Sequence, residues 1–231
     1  MPVPRFNSII SFFLVGIFLS SCHFFEKDHT LDQGMVKYKI TYKEGSESTI
    51  PVELLPGLMI FKFNERKTIN TISDFLGIFS ISIITDRKKG KNVTLLKIFD
   101  KRYYYEGKAQ QAACCFGDFG DLVFTKTTEQ TNIASLPAHR VMVSSSNLQI
   151  EPFDIYYTDA IKSHNTNITT PYEEIDGVLL KFNLKLNNIA MEITAESVDF
   201  KEVKNDEFDI PANYKPVSRE QMAKLINALM E

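Results

Sequence analysis

Apolar and polar residues alternate one for one along much of this chain. From Met35 to Lys43, Val36, Tyr38, Ile40 and Tyr42 fall on one side and Lys37, Lys39 and Lys43 on the other, which is the signature of a strand with one dry and one wet face. Met59, Phe61 and Phe63 share a face in the same way, and Phe79, Ile81 and Ile83 alternate with Ser80 and Ser82. The strongest pattern runs from Val178 to Leu186, with Val178, Leu180, Phe182, Leu184 and Leu186 opposite Lys181, Asn183 and Lys185. Turn-forming residues separate these runs at Gly45–Thr49, Asn64-Glu65, Asp74–Gly77, Asp86–Lys91 and Asn187-Asn188. Further strands are expected over Arg66–Ser73, Asn92–Asp100, the aromatic run Tyr103–Tyr105, Leu122–Thr128, Ala138–Ser145, Phe153–Thr158 and Ile189–Val203. Gly107–Gly120 is irregular, and Ile161–Pro171 is polar and reads as a loop or a lid. Short strands with turns at regular spacing predict a mainly β, α+β chain whose antiparallel sheet is strongly curved or partly closed.

The period changes near the C-terminus. Ser218-Arg219-Glu220-Gln221 fits a capping box, with Val217 and Met222 placed as a hydrophobic staple. Met222, Leu225, Ile226, Leu229 and Met230 then recur at helical spacing, predicting an amphipathic helix over 218–230 that packs on the sheet. Pro211 and Pro216 break the chain before it. Residues 35–231 thus read as a single β-rich domain.

The first 21 residues are of another kind. Arg5 is their only charge, and the apolar core Ile9–Leu19 is about half the roughly 20 residues that a bilayer-spanning helix requires. A basic start, a short apolar core and small residues after it make a secretory signal over 1–21. Leu19-Ser20-Ser21-Cys22 resembles the bacterial lipobox, which implies cleavage before Cys22 and lipid on its thiol. Residues 22–34 then form a polar tether. Only Glu26 and Asp28 carry negative charge just after the cysteine, so the periplasmic side of an outer membrane is expected rather than the cell surface.

Composition narrows the function. Lys and Arg number 26 against 29 Asp and Glu, without a basic block, so nucleic acid is not an expected partner. Arg87-Lys88-Lys89-Gly90-Lys91 reads as a solvated hairpin tip. The four histidines are scattered, and no metal-ligand spacing, phosphate loop, dinucleotide fingerprint or nucleophile elbow occurs. Asp118-Phe119-Gly120 spells a kinase tripeptide without the loops that give it meaning. Glu173, Glu174 and Asp176, with His139, are the remaining candidates for acid–base work, and solvated carboxylates are the simpler reading. Cys114 and Cys115 can form a local clip or stay as thiols. Neither enzyme chemistry, nor a metal, nor a cofactor is expected.

What remains is the apolar face of the curved sheet. Tyr38, Ile40, Met59, Phe61, Phe63, Phe79, Ile81, Leu180, Phe182 and Leu184 are its candidate lining. They can form a core covered by the terminal helix, or line a cavity for a lipid or acyl chain.

Several segments carry a family resemblance: Leu55-Pro56-Gly57-Leu58-Met59, Asp154-Ile155-Tyr156-Tyr157-Thr158, Ile175-Asp176-Gly177-Val178-Leu179-Leu180 and the closing Phe208-Asp209-Ile210-Pro211-Ala212-Asn213-Tyr214-Lys215. Together they resemble the secreted Bacteroidota domains of the DUF4412 and GLPGLI type, over most of residues 35–218. Such domains are similar to the lipoprotein carriers LolA and LppX. The resemblance implies an unclosed barrel, helices over its open side and a hydrophobic interior, with no catalytic residues to carry over. The single helix here departs from the several in those carriers. The expectation is a non-enzymatic envelope lipoprotein that binds a hydrophobic ligand on the concave face of the sheet. The alternative is a structural or interaction lipoprotein with a packed core and an envelope protein as partner.

Overall fold

The computed structural model describes residues 32–42, 55–108, 114, 119–148, 150–186 and 189–228. The signal segment, Cys22, Cys115, the turns at Gly45–Thr49 and Asn187-Asn188, and Leu229 and Met230 lie outside the described residues. Twelve strands follow in chain order: β1 Gly34–Tyr42, β2 Leu58–Phe63, β3 Lys67–Ser73, β4 Phe79–Asp86, β5 Lys91–Ile98, β6 Lys101–Lys108, β7 Leu122–Ile133, β8 Leu136–Ser145, β9 Phe153–Thr158, β10 Val178–Leu186, β11 Ile189–Asp199 and β12 Lys215–Pro216. Among the described residues one α-helix, α1, spans Arg219–Asn227, and a single 3-10 turn spans Asn205–Phe208. The strands make one sheet in the order β12-β6-β5-β4-β3-β2-β1-β11-β10-β9-β8-β7. Its end strands do not pair with each other, so the curved sheet remains an unclosed barrel. This is the architecture that the alternating pattern predicts.

Tyr38 stands opposite Met59, Met59 opposite Ile72, Ile72 opposite Ile81, and Ile81 opposite Leu96. This inward row is wholly apolar apart from one phenol. The next row reads Val36, Phe61, Asn70, Ile83, Thr94, and the one after it Gly34, Phe63, Thr68, Thr85, Asn92. The concave face therefore becomes polar toward the end at which β1 begins. The main core cluster joins these strands to Phe182, Leu184, Met191 and Ile193 across the sheet, and to Met222 and Ile226 of α1.

A second cluster lies on the convex face. Ile84 and Leu95 point outward there and meet Val203 and Phe208, with Ile210 and Tyr214 packed against them. The segment 200–216 is thus a strap over the back of β3–β6. Lys67 pairs with Asp209 at 3.2 Å, Lys62 pairs with Glu207, and Asn64 donates to Asn205 at 3.2 Å. The strap then bonds to the sheet edge as β12, parallel to β6. From that edge α1 turns to the concave side. Ser218 accepts from the Gln221 amide and the Gln221 side chain accepts from the Ser218 amide, closing the expected capping box. The helix caps the interior as expected, but it is not the main cover.

Candidate functional site

The cover is the connection between β9 and β10. Residues 159–177 leave the polar end of the sheet and fold back over the concave face. Ile161, Ser163, Thr166, Asn167, Thr169, Tyr172 and Ile175 are all buried. A polar segment can be buried only if its hydrogen bonds are met, and here most are met within the segment. The Asn167 amide donates to the Ile175 and Gly177 carbonyls at 2.8 and 2.9 Å, and the Thr166 hydroxyl donates to Gly177 at 3.0 Å. The Thr170 hydroxyl donates to the Asn167 carbonyl at 2.8 Å. The segment is a self-satisfied plug.

Two groups fasten the plug to the body. At the rim, Arg87 from the β4–β5 turn donates to the Ser163 hydroxyl at 2.9 Å and to the His164 carbonyl, while its second terminal nitrogen donates to the Asn64 carbonyl at 2.9 Å and its Nε to the Arg66 carbonyl at 3.4 Å. All four acceptors are neutral, and burial lowers the guanidinium pKa. At depth, the Tyr172 hydroxyl donates to the Asn183 carbonyl at 2.5 Å. The Tyr172 ring meets Phe182 at 6.1 Å and Phe124 at 6.3 Å, and Phe182 meets Tyr38 at 6.0 Å, all edge-on. This chain of rings ties β1, β10 and β7 through the plug. Edge-on aromatic pairs contribute about 0.5–1.5 kcal/mol each beyond their burial.

Between plug and sheet there is a small cleft. Phe61, Ile72, Ile81 and Phe182 form its apolar wall, and Asn70, Thr166, Asn167 and Thr169 its polar side. Its open volume is about 40 Å³, room for about three or four waters at roughly 10–15 Å³ each. An engineered cavity of about 150 Å³ holds one benzene, and an acyl chain is larger still. A roomier cleft of about 450 Å³ lies at the rim between Asn64-Glu65-Arg66 and Glu202–Asn205. Charges of both signs line it and it opens to water, so it offers no apolar enclosure.

The structure brings the predicted lining together. Tyr38, Ile40, Met59, Phe61, Phe63, Ile81, Leu180, Phe182 and Leu184 are buried in the main cluster, with Phe79 partly buried against it. Tyr38, Met59, Phe61, Ile81, Phe182 and Leu184 border the cleft itself. Two expectations need correction. Asn183 was expected on the wet side of β10 with Lys181 and Lys185, yet it is buried. A register shift between Leu179 and Lys181 breaks the alternation there. The concave face was also expected to have only the helix over it, and the plug fills that role.

Burial holds the Tyr38, Tyr42 and Tyr172 phenols protonated beyond the usual tyrosine range. Their folded-state pKa values lie above the unfolded value of about 10, so the stability they contribute is complete below pH 10 and is lost as pH rises beyond it. Unfolding midpoints in urea should be flat from pH 8 to 9.5 and fall above about 10. A Tyr172→Phe chain should show a shallower fall.

The acid–base candidates stay apart from this site. Glu173, Glu174 and Asp176 are exposed, and Asp176 faces only His164 at 3.4 Å. His139 lies 3.5 Å from Asp159 and stacks on Tyr157 at 5.2 Å. Among the described residues, no three His, Cys, Asp or Glu side chains gather as metal ligands. Cys114 is buried with its thiol 3.9 Å from the Arg219 carbonyl at the start of α1. No helix among the described residues is long and apolar enough to cross a membrane.

No family model matches this chain, and no curated protein matches it. Solved structures do. PNGF-II superposes with a TM-score of 0.50 at 14% identity, over 84% of this chain and 33% of that one. The likeness is one of fold, and the chain spans about a third of PNGF-II. The MucA/MucB complex of Pseudomonas aeruginosa gives 0.34 at 8% identity, over 82% of this chain and 60% of the matched one. A β-barrel-like DUF1849 protein from Brucella abortus gives 0.29 at 10% identity, over 74% and 99%.

Proposed function

We propose that the chain is a non-enzymatic envelope lipoprotein, held to the periplasmic face of an outer membrane by lipid on Cys22, whose concave face takes a hydrophobic ligand when the plug moves aside. One observation carries the reading. The plug meets most of its own hydrogen bonds and lies against an apolar, aromatic wall, with neutral acceptors for Arg87 as its latch at the rim. Such a segment can leave the wall with one hydrogen bond broken at depth, that of Tyr172 to the Asn183 carbonyl. The exposed wall would then present Tyr38, Met59, Phe61, Ile81, Phe182 and Leu184, a large apolar surface of the kind that binds ligands.

The 40 Å³ cleft favours a second reading, in which the plug is a permanent part of the core and the chain is an interaction module. Arg87→Ala separates the two. If the plug is a lid, releasing the latch should speed uptake of a fluorescent fatty acid by about tenfold, as loss of about 1.4 kcal/mol from the closed state implies. An Arg87→Ala chain that folds but takes up probe no faster than its parent supports the packed core.

A further inference from the structure

The two ends of the sheet differ in chemistry. At the end where β1 begins, the turns read Asn64-Glu65-Arg66, Arg87-Lys88-Lys89-Gly90 and Ala134-Ser135. At the opposite end they read Asp74-Phe75-Leu76-Gly77 and Phe99-Asp100, and Leu148 stands in the turn after β8. Phe75 is 100% exposed, Leu148 98%, Phe99 68% and Leu76 67%. Among the described residues, Phe200 is the one exposed large apolar side chain at the first end.

Phe99 adds a second observation. Its φ is +53°, in the left-handed region where glycine or asparagine is at ease and a bulky side chain is strained. The same residue exposes an aromatic ring to water. Packing offsets neither cost.

The two neighbouring tips are also joined. The Phe99 amide donates to the Ile78 carbonyl at 2.8 Å, and the Lys97 ammonium donates to the Gly77 carbonyl at 2.6 Å. Phe75, Leu76 and Phe99 therefore stand on one braced platform. Lys97, Lys101 and Arg102 flank it, against the carboxylates of Asp74 and Asp100. Arg102 is held at the tip by donating to the Asp100 carbonyl at 2.8 Å.

We propose that this end of the sheet docks on a phospholipid bilayer, with Phe75, Leu76 and Phe99 among the upper acyl carbons and Lys97, Lys101 and Arg102 at the headgroup phosphates. Separate apolar tips on a rim, with a net positive surround, suit a planar surface whose edge is anionic and whose interior is apolar. The contact is independent of lipid on Cys22, though the two can share one membrane. The twelve residues Cys22–Gln33 reach about 40 Å when extended, longer than the roughly 30 Å of β1 that they would have to pass.

The chain contains no tryptophan, so a single introduced indole reports its own surroundings. The test uses the full chain carrying Cys22→Ser, with Phe75→Trp, Phe99→Trp or, as control, Phe200→Trp. Each is mixed with vesicles of phosphatidylcholine and phosphatidylglycerol in equal parts, some carrying brominated acyl chains. Emission from the Phe75→Trp and Phe99→Trp chains should move to shorter wavelength and be quenched by bromine, while the Phe200→Trp chain is unchanged. Quenching of the two tip reporters no greater than that of the Phe200→Trp control would overturn the proposal. So would the same shift without vesicles at rising protein concentration, which would mark self-association. A second variant separates docking from folding: Phe99→Gly should keep or raise the melting temperature while weakening quenching of the Phe75→Trp reporter. A Phe99→Gly chain with quenching intact would also overturn it.

Discussion

Replacing Tyr172 with alanine should lower the free energy of unfolding by about 3–5 kcal/mol, the range for truncating a buried aromatic side chain. Tyr172 is wholly buried and is the centre of the ring chain from Tyr38 to Phe124. Its loss removes two edge-on contacts and the bond to Asn183 together. Tyr172→Phe keeps the rings and removes only the hydroxyl, so its cost should be about 1–3 kcal/mol, the penalty for a buried acceptor left without its donor. Urea titrations of the two variants measure the difference. Because the same residue fastens the plug, Tyr172→Ala should also raise binding of a hydrophobic dye under native conditions.

Gly177→Ala should be nearly as damaging, for a reason that lies in the backbone. Gly177 has φ +150°, and a Cβ there would stand 2.6 Å from the Tyr157 ring and 2.7 Å from the Thr158 carbonyl oxygen. The strain alone costs about 1–3 kcal/mol, and the backbone oxygen cannot move aside without disturbing β9. The Gly177 carbonyl also receives both Asn167 and Thr166, so a shift there unfastens the plug from within. The expected result is a loss of stability above that of Gly57→Ala, where a Cβ meets nothing within 4 Å. Equal melting temperatures for the two variants would contradict this account.

The parts of the fold that were legible in the sequence are those where one face is wet and one dry. β1 shows this, since Lys37 and Lys39 are exposed between buried Val36, Tyr38 and Ile40. The capping box at Ser218 was legible because its chemistry is local. β7 was not fully legible. It runs on to Ile133 through Thr127, Thr128, Glu129 and Gln130, polar residues of an edge strand that is wet on both faces and so carries no alternation. The strap over the convex face was not legible: Phe208 and Ile210 stood only in a segment of family resemblance, and their target on the back of β4 and β5 is a long-range choice. The plug was hidden most deeply. Ser163, Thr166, Asn167 and Thr169 read by composition as a loop or a lid, and they are buried because the segment meets most of its own hydrogen bonds. Of the candidate site, the apolar wall could therefore be read from periodicity and a lid was one of two readings of its cover, while the burial of that cover and the small volume beneath it could not be read.

The alkaline fall in stability and the Arg87 latch probe the plug, and the exposed tips probe docking on a bilayer. The proposed binding of a hydrophobic ligand on the concave face has its own test. Its most direct measurement is organic extraction of the Cys22→Ser chain, purified without detergent, followed by mass spectrometry of the extract. A lipid or fatty acid should be found in a fixed ratio to protein, with a higher ratio in the Arg87→Ala chain. Protein that is free of lipid in both forms, and that takes up no added fatty acid, would contradict it.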